Sequence, residues 1–485
     1  MKKIVVGLAL VIPVVWAGIL WISSNKTEAV FEEMLAESNQ KVADEIPFVK
    51  IEKQSFEKGF LTSTAKSLVT LDPEILDNEE PLSLTLKHTI YHGPLMMTPN
   101  GIKTGTSYIL TTLDQELLSP EAREGIDLLF NGKEPIVSGV LTGLGENVDV
   151  DLNVAPVHFD SEQFDAKPGI NNSEETMILT LDGMSGQFST NSEGGRIRGI
   201  LDFGILKILG KDDGKDINMT MAASVTEMDI DEIYKGSILD GSGEVKIPEI
   251  SFSDGEGRGL SLEGVTILSA SKNQSGVISG VVTIDVTQLL IKNIDAPVVF
   301  PESSLHMSFG LKGLERKPLK KFIDAGKEMN KSQFVFLGGD DPQQSSDALT
   351  TTMNSYFNTL GEVLSQGVET NNVFEISNEN GNSSVKLDLL YADSKKLLDL
   401  GTIKDVIMAF KSQLTISIDK SMIADTPMEE TIGMPLAMGF AVDTGEAYEA
   451  IVNLNGGELK VNGEVMPVLE MLGSVVDQCL PWGKM

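Results

Sequence analysis

Residue types that commonly carry out chemistry are scarce in this chain. Four of its 485 residues are histidine and one, Cys479, is cysteine, whereas a zinc site needs several such ligands held close together. His88 and His92 lie four residues apart, but their segment alternates as a strand does, and four strand residues span about 13 Å. We therefore expect structural roles for the histidines and no metal or other cofactor. The histidines are His88, His92, His158 and His306.

Sequence motifs for phosphate, ester or calcium chemistry are missing as well. The segment from Gly204 to Lys211 has one residue too many for a phosphate-binding loop, and Asp212 stands where such a loop has a hydroxyl. A GxSxG serine elbow does not occur, and the acidic turns lack the spacing of a calcium loop. We expect a protein that is not an enzyme. A hydrolase with paired carboxylates stays open as an alternative, because 71 acidic residues offer many pairs.

Charge and composition narrow the range of partners. The net charge is −33 and the pI is about 4.4, whereas nucleic-acid binding needs a basic surface. We expect no nucleic acid partner and no flat docking on an anionic lipid surface. The hydrophobic content of 41% is sufficient for a packed core. A single cysteine is typical of an exported protein that avoids free thiols.

The N-terminus predicts a membrane anchor. Residues 4–22 are nineteen residues without a charge, preceded by two lysines, and a helix of that length rises about 28 Å, close to the hydrocarbon core of a bilayer. The preceding positive charges place the N-terminus in the cytoplasm and the rest of the chain across the membrane. We predict a cytoplasmic tip and transmembrane helix in residues 1–25 and a helical stalk in residues 26–48. Cleavage of a secretory signal after Ala17 is the alternative.

From about residue 49 the chain alternates between apolar and polar residues. Val148 to Val154 and Leu414 to Asp419 alternate without a break, which is the period of a strand with one buried face. Turn signals such as Asp182-Gly183, Asn380-Gly381 and Asn462-Gly463 favour antiparallel hairpins. We predict an α+β fold dominated by strands: a long, twisted antiparallel sheet with helical insertions, preceded by one N-terminal transmembrane helix. Residues 49–485 would form its β-rich body.

Helical patterns interrupt these strands. We predict a helical excursion at about residues 315–370 and another helix over residues 397–410. Within the excursion, residues 347–364 carry an apolar stripe that includes Met353 and Phe357. This stripe suggests a homodimer formed through the helix.

Four segments, taken in their order and spacing, resemble a known family. They are Phe56 to Ser63, Tyr91 to Leu95, Ile376 to Leu389 and Asn455 to Glu464, and they look like the YdgA-like family of bacterial envelope proteins, a domain of unknown function. The resemblance covers essentially the whole chain. It implies a bacterial inner-membrane anchor with a periplasmic body, and it brings no catalytic residues.

Six residues in these segments are candidate site residues of undetermined role: Gly59, His92, Gly93, Pro94, Asn462 and Gly463. We expect Gly59 at a bulge or a close backbone approach. Gly93-Pro94 should end the preceding strand, because proline cannot continue a hydrogen-bonded ladder. For His92, a satisfied hydrogen bond at the strand end is favoured over a recognition role.

Two functions follow as hypotheses. One apolar face on many strands beside a membrane anchor predicts an envelope protein that binds lipid or another apolar ligand on its sheet, unless that face is simply a closed core. The alternative is a homo-oligomeric scaffold or assembly partner for envelope proteins. The expected partners are therefore the bilayer through residues 4–22, a lipid, and a second copy of the chain.

Overall fold

A computed structural model describes most of the chain beyond the predicted stalk. The described residues are 49–71, 82–118, 120–143, 147–161, 176–191, 196–212, 215–234, 237–292, 301–338, 342–364, 367–424 and 426–478. The predicted anchor over residues 4–22, the stalk over residues 26–48 and Cys479 lie outside them. Within the described part, no helix combines the length and the apolar character that a membrane span requires.

Strands dominate the described residues and pair antiparallel, which confirms the β-dominated fold with helical insertions. The strands are β1 (Val49–Glu57), β2 (Thr62–Leu71), β3 (Leu82–His92), β4 (Leu95–Thr98), β5 (Gly101–Thr104), β6 (Ser107–Leu113), β7 (Ile136–Thr142), β8 (Asn147–Val154), β9 (Val157–Asp160), β10 (Thr176–Leu181), β11 (Met184–Asn191), β12 (Ile197–Phe203), β13 (Leu206–Asp212), β14 (Lys215–Met221), β15 (Ser224–Tyr234), β16 (Ser237–Asp254), β17 (Gly259–Gln274), β18 (Val277–Lys292), β19 (Ser303–Glu315), β20 (Glu369–Asn378), β21 (Gly381–Tyr391), β22 (Phe410–Asp419), β23 (Val442–Asp443), β24 (Ala447–Asn455), β25 (Glu458–Val461) and β26 (Glu464–Met466).

Helices are fewer than strands among the described residues, although two of them are longer than any strand. They are α1 (Pro120–Phe130), α2 (Arg316–Gly338), α3 (Pro342–Val363), α4 (Ile403–Ala409), α5 (Lys420–Ile423), α6 (Pro427–Thr431), α7 (Gly433–Ala437) and α8 (Val468–Met471), with 3-10 helices at Gln115–Leu117, Leu397–Asp399 and Gly473–Asp477. The chain divides into two compact units, Met1–Ser237 with Ile250–Glu256 and Ile238–Glu249 with Gly257–Met485.

Two hydrogen-bonded runs of strands build the first unit. One run has the order β1-β2-β3-β6-β7-β8-β11-β12-β15. The other has the order β9-β10-β13-β14-β16. Because the chain alternates between the runs from β8 to β15, four pairs of consecutive strands are joined by corners of two residues.

Glycine lies at two of these four corners, Asp182-Gly183 and Gly204-Ile205. Gly183 has a φ of +100°, and a Cβ at this position would lie 2.8 Å from a backbone carbonyl oxygen. Its own carbonyl oxygen accepts a hydrogen bond from the Gly204 N–H at 2.8 Å. Asp182-Gly183 is therefore a corner, and its prediction as a hairpin turn is wrong: β10 pairs with β9 and β13. Asn380-Gly381 does join two paired strands, as predicted.

The core of the first unit lies on one face of the longer run. Strand β8 shows the physical pattern, because its four apolar side chains are buried and its polar residues are exposed, which confirms the predicted alternation. Cluster 1, which α1 covers with Ile126 and Phe130, contains Ile51, Val69, Leu86, Ile126, Phe130, Ile136, Leu152, Val154, Ala155 and Met184. Cluster 2 contains Ala65, Ile90, Ile109, Val140, Val148, Val150 and Phe188.

The second unit is an antiparallel meander. Its strand order is β17-β18-β19-β20-β21-β22-β24-β25-β26, with β23 paired to β24. The predicted excursion consists of α2 and α3, which join β19 to β20 and pack together through Phe322 and Tyr356, with ring centroids 4.8 Å apart.

The helix predicted over residues 397–410 is wrong in its extent. A 3-10 helix at Leu397–Asp399 and α4 share this segment, and Phe410 already begins β22. Thr402 starts α4 with a capping box, in which its hydroxyl accepts a hydrogen bond from the Asp405 N–H and the Asp405 carboxylate accepts one from the Thr402 N–H. These local bonds favour a new start at Thr402 over a continuous helix.

Gly199→Ala should strongly destabilise the first unit. A Cβ at Gly199 would lie 2.4 Å from the Gln187 carbonyl oxygen and 2.5 Å from the Phe188 ring, and overpacking of this kind costs about 1–3 kcal/mol. The matched control is Gly433→Ala, where nothing lies within 4 Å and alanine favours a helix by about 0.5–1 kcal/mol. Urea unfolding followed by circular dichroism measures both variants. An unchanged midpoint for G199A would contradict the close approach of β11 and β12.

Candidate functional site

A row of polar side chains crosses the core face of the first unit between clusters 1 and 2. His88 is 2% exposed; its Nε2 lies 2.8 Å from Ser67 Oγ and its Nδ1 2.9 Å from Thr111 Oγ1. Ser138 is the cross-strand neighbour of Thr111, and its buried Oγ has no hydrogen-bond partner among the described residues. Each ring nitrogen of His88 is within hydrogen-bond distance of a hydroxyl, so this histidine has a structural role.

Burial lowers the pKa of His88 from 6.5 to about 3. A neutral imidazole donates one hydrogen bond and accepts one, and a hydroxyl can do either, so the two neighbours satisfy the neutral ring. A protonated ring could also bond to both hydroxyls, but it would place a charge among apolar side chains. The polar row therefore stabilises the fold only while His88 is neutral.

The two N-terminal motif segments, separated in sequence, meet at the turn between β1 and β2. Ser63 Oγ lies 2.8 Å from His92 Nε2 and accepts a hydrogen bond from the Gly59 N–H at 3.2 Å. The His92 N–H donates to the Leu61 carbonyl oxygen at 2.9 Å. A Cβ on Gly59 would lie 1.9 Å from a backbone oxygen, which is the close approach expected there. Strand β3 ends at His92, and Gly93 follows with a φ of +113°.

The 2.8 Å between Ser63 Oγ and His92 Nε2 would suit a nucleophile and its general base. The other features of a catalytic pair are missing. Catalytic serines are exposed to substrate and their histidine is oriented by a third group. Ser63 is 2% exposed, and no carboxylate among the described residues is hydrogen-bonded to the His92 ring. With the Gly59 N–H donating to Ser63, the hydroxyl proton is free to bond to His92. The two hydrogen bonds of Ser63 hold the turn between β1 and β2 against the end of β3.

Asn462 and Gly463 belong to the second unit and form the hairpin turn between β25 and β26, with φ values of +51° and +88°. Asn462 Oδ1 accepts from the Ile451 N–H at 2.8 Å, and its Nδ2 donates to the Gly439 carbonyl oxygen at 2.9 Å. The side chain thus fastens the loop after α7 to the sheet. The six predicted site residues are therefore divided between two units, with Gly59, His92, Gly93 and Pro94 together in the first.

One face of the second unit is apolar across seven hydrogen-bonded strands, β17 to β22 and β24. One residue of each strand forms a row of cross-strand neighbours: Ile267, Ile284, Met307, Phe374, Val385, Ile416 and Ala450. Two residues further along the same strands, and therefore on the same side, are more large apolar side chains. We call this surface the open face; it also includes Val282, Phe309, Leu311, Leu387 and Leu414.

The opposite side of the same strands is more polar. The row one residue away consists of Thr266, Asp285, His306, Glu375, Ser384, Ser417 and Glu449. Within it, His306 Nδ1 lies 2.7 Å from Asp285 Oδ1. Because side chains alternate between the two sides of a strand, one sheet has an apolar surface and a polar surface over a width of about 29 Å.

The open face is not buried. Phe309, Phe374 and Leu387 are 49%, 43% and 36% exposed, and every residue of the apolar row is exposed or half-buried. The polar row is also exposed or half-buried, so neither side of this sheet is a closed core. Two polar residues on the open face, Thr370 and Asn372, are hydrogen-bonded to each other. Together with Ser269, which lies opposite Val282, they are polar members of a mainly apolar surface.

Sequence reasoning found the alternation that builds the open face but not its exposure. Val282 to Val286 and Val385 to Leu389 alternate visibly, yet the same pattern in β8 belongs to a buried core. The role of Ser63 was also missed, although it lies inside the first motif segment. Its only signal was that an antiparallel pairing of the two motif segments brings it beside His92.

Comparison with known proteins gives a family and one relative. The family described as "Bacterial protein of unknown function (DUF945)" matches residues 1–468. The chain is 22% identical over 207 residues to "Protein YdgA" of Escherichia coli (strain K12), which covers 41% of this chain and 40% of the relative. The match thus spans less than half of that relative's length. No solved structure is significantly similar to the chain.

Stability of the first unit should fall as the pH drops from about 6.5 toward 4.5. The pKa of His88 is lower in the folded state than in the unfolded chain, so below about pH 6.5 protons bind preferentially to the unfolded chain. Each pH unit in this window should cost up to about 1.4 kcal/mol. His88→Gln should flatten the slope, whereas the same change at the exposed His158 should not. Urea unfolding at stepped pH measures this, and an equal slope in H88Q would contradict the assignment.

Proposed function

We propose that this chain, which belongs to the DUF945 family of bacterial proteins of unknown function, binds lipid acyl chains on the open face of its second unit and catalyses no reaction. In this proposal residues 4–22 anchor it in the bacterial inner membrane as a single span, with the N-terminus in the cytoplasm and the body in the periplasm. The observation that carries the proposal is the row of seven apolar residues that no part of the described chain buries.

An acyl chain suits the open face better than a hydrogen-bonding ligand. The strands are paired on both sides through the face, so their backbone groups are already satisfied and are not offered to a ligand. What is left is apolar area, including two phenylalanine rings that are nearly half exposed. Contiguous exposed apolar surface of this kind marks a site of interaction in soluble domains.

The expected affinity is modest. Each methylene that leaves water contributes about 0.8 kcal/mol, so a chain that lays about ten methylenes on the face gains roughly 8 kcal/mol. Association and the ordering of a flexible chain cost about 4–15 kcal/mol. Binding of this strength is reversible, which suits a protein that carries or passes on lipid more than one that stores it.

A second candidate function is a homo-oligomeric scaffold, and one observation favours it. On α3, Met353 and Phe357 are 41% and 50% exposed, while Tyr356 packs on Phe322 of the neighbouring helix. The predicted stripe is thus divided, with part of it available to a second copy of the chain.

Photo-crosslinking in living bacteria separates these functions. The full chain would carry p-benzoylphenylalanine at Phe309 or Phe374 on the open face, or at the adjacent Ser308 or Glu375 on the polar side. We expect adducts with radiolabelled phospholipid at the first two positions and at least tenfold less at the controls. Equal labelling of both sides would contradict lipid binding by the face. A product of twice the chain mass with the same photo-crosslinker at Met353 or Phe357 on α3 would instead support the scaffold.

Ser63 should not react with a fluorophosphonate probe. The probe needs an exposed, activated serine, and the Ser63 side chain is buried at 2% exposure. Ser63→Ala should lower stability by about 1–3 kcal/mol, because it removes two hydrogen bonds worth about 0.5–1.5 kcal/mol each, and leave any labelling of the protein unchanged. Labelling of the full chain that disappears in S63A would contradict a non-enzymatic role.

A further inference from the structure

The loops that carry the N-terminal motifs expose five large apolar side chains. Phe60 and Leu61, in the turn between β1 and β2, are 95% and 68% exposed. Leu95, Met97 and Ile102, in the hairpin of β4 and β5, are 63%, 80% and 66% exposed. We call these five residues the apolar tip. They belong to the first unit and are distinct from the open face.

The hairpin exposes large apolar side chains on its outer side, which its packing on the sheet does not require. On the inner side, Met96 is buried, Lys103 lies over the Tyr108 ring, and Asn100 Nδ2 donates to the Tyr108 hydroxyl at 3.1 Å. These contacts hold the hairpin on the sheet. On the outer side, Met97 and Ile102 are direct cross-strand neighbours and face solvent. In a two-stranded ribbon with one covered side, the other side is normally polar.

Hydrogen bonds keep the two loops of the apolar tip side by side. The backbone N–H of His92 donates to the Leu61 carbonyl oxygen. The backbone N–H of Gly93 donates to the Thr106 carbonyl oxygen at the base of the hairpin. The Ser63–His92 bond fixes the turn from the other side. These hydrogen bonds therefore hold Phe60 and Leu61 in a fixed position beside the hairpin.

Charge distinguishes this region from the rest of the chain. Residues 58–71 and 81–113, which contain the whole tip, have no aspartate or glutamate, although the chain has 71 acidic residues in 485. The same residues include four lysines, at positions 58, 66, 87 and 103. Lys66 is paired with Asp114 and Lys103 lies 3.7 Å from Asp151, while Lys58 is exposed next to the tip. Glu57 precedes Lys58, so lysines and carboxylates nearly balance beside the tip in a chain of net charge −33.

We propose that the apolar tip inserts into the interfacial region of an anionic lipid bilayer. Exposed phenylalanine and aliphatic side chains with lysine nearby match the composition of segments that lie in a membrane interface. The predicted span over residues 4–22 would keep the first unit close to a bilayer, so that weak insertion of five side chains is sufficient. The overall negative charge opposes flat docking, whereas the five tip residues are uncharged and the acidic residues that adjoin them, Glu57 and Asp151, each lie beside a lysine.

A fluorescent label on the tip of the full chain tests the proposal. Cys479→Ser removes the native thiol, Met97→Cys accepts the dye NBD, and Gln187→Cys in the same background is an exposed control in the same unit. The chain is reconstituted in phosphatidylcholine vesicles with or without phosphatidylglycerol and with doxyl-labelled lipid as a quencher. We expect blue-shifted emission and at least threefold stronger quenching at position 97 than at position 187, increased by phosphatidylglycerol and reduced by salt.

Two further variants identify the cause of the signal. Phe60→Glu should reduce quenching at position 97 to the level of the control, and Lys58→Glu should remove the phosphatidylglycerol dependence. Circular dichroism confirms that each variant is folded. Water-like emission at position 97 in both kinds of vesicle would overturn the proposal. So would a blue shift that doxyl lipid does not quench and that grows with protein density, because it would assign the tip to a second copy of the chain.

Discussion

Alternation of side chains between the two sides of a strand is the constraint on which this structure depends. Each antiparallel pairing satisfies the backbone, and the period of two then assigns every second residue to one side. In the first unit this places clusters 1 and 2 on one face, where they are buried. In the second unit the same rule collects seven apolar residues on one side and seven polar residues on the other, and both sides stay partly exposed. One local rule thus produces a closed core in one unit and an open surface in the other.

Polar side chains that are buried or half-buried in the first unit hold neighbouring strands together through hydrogen bonds. His88 is held by two hydroxyls between the hydrophobic clusters, and His92 is held by Ser63 at the end of the same strand. The two pairs follow from one register, in which β2 and β3 run antiparallel. A buried hydrogen bond is costly to break because the partner left behind is desolvated. These pairs therefore fix the pairing of β2 with β3, and with it the loops at the end of both strands.

The open face and the apolar tip differ in shape and suit different parts of a lipid. The open face is flat, built from strand residues and hydrogen-bonded within its own plane, which suits a flexible acyl chain. The apolar tip consists of uncharged residues of a turn and a short hairpin that are more than 60% exposed, which suits insertion among lipid headgroups. Both proposals concern lipid, but they rest on separate residues in separate units. The two proposals share only the anchor over residues 4–22, and neither surface depends on what binds the other.

The strand-dominated fold, the helical excursion and the close approach at Gly59 could all be predicted from the sequence, because alternation, helical stripes and glycine reflect interactions between residues near in the chain. The corner at Asp182-Gly183 could not, since a turn signal does not say whether the flanking strands pair with each other. The encounter of Ser63 with His92 depends on strand register. The exposure of Phe309 and Phe374 depends on whether another layer covers the sheet, and β8 shows the same alternation under a covered core. Coverage is a property of long-range packing, so only the tertiary structure decided which apolar face was left open.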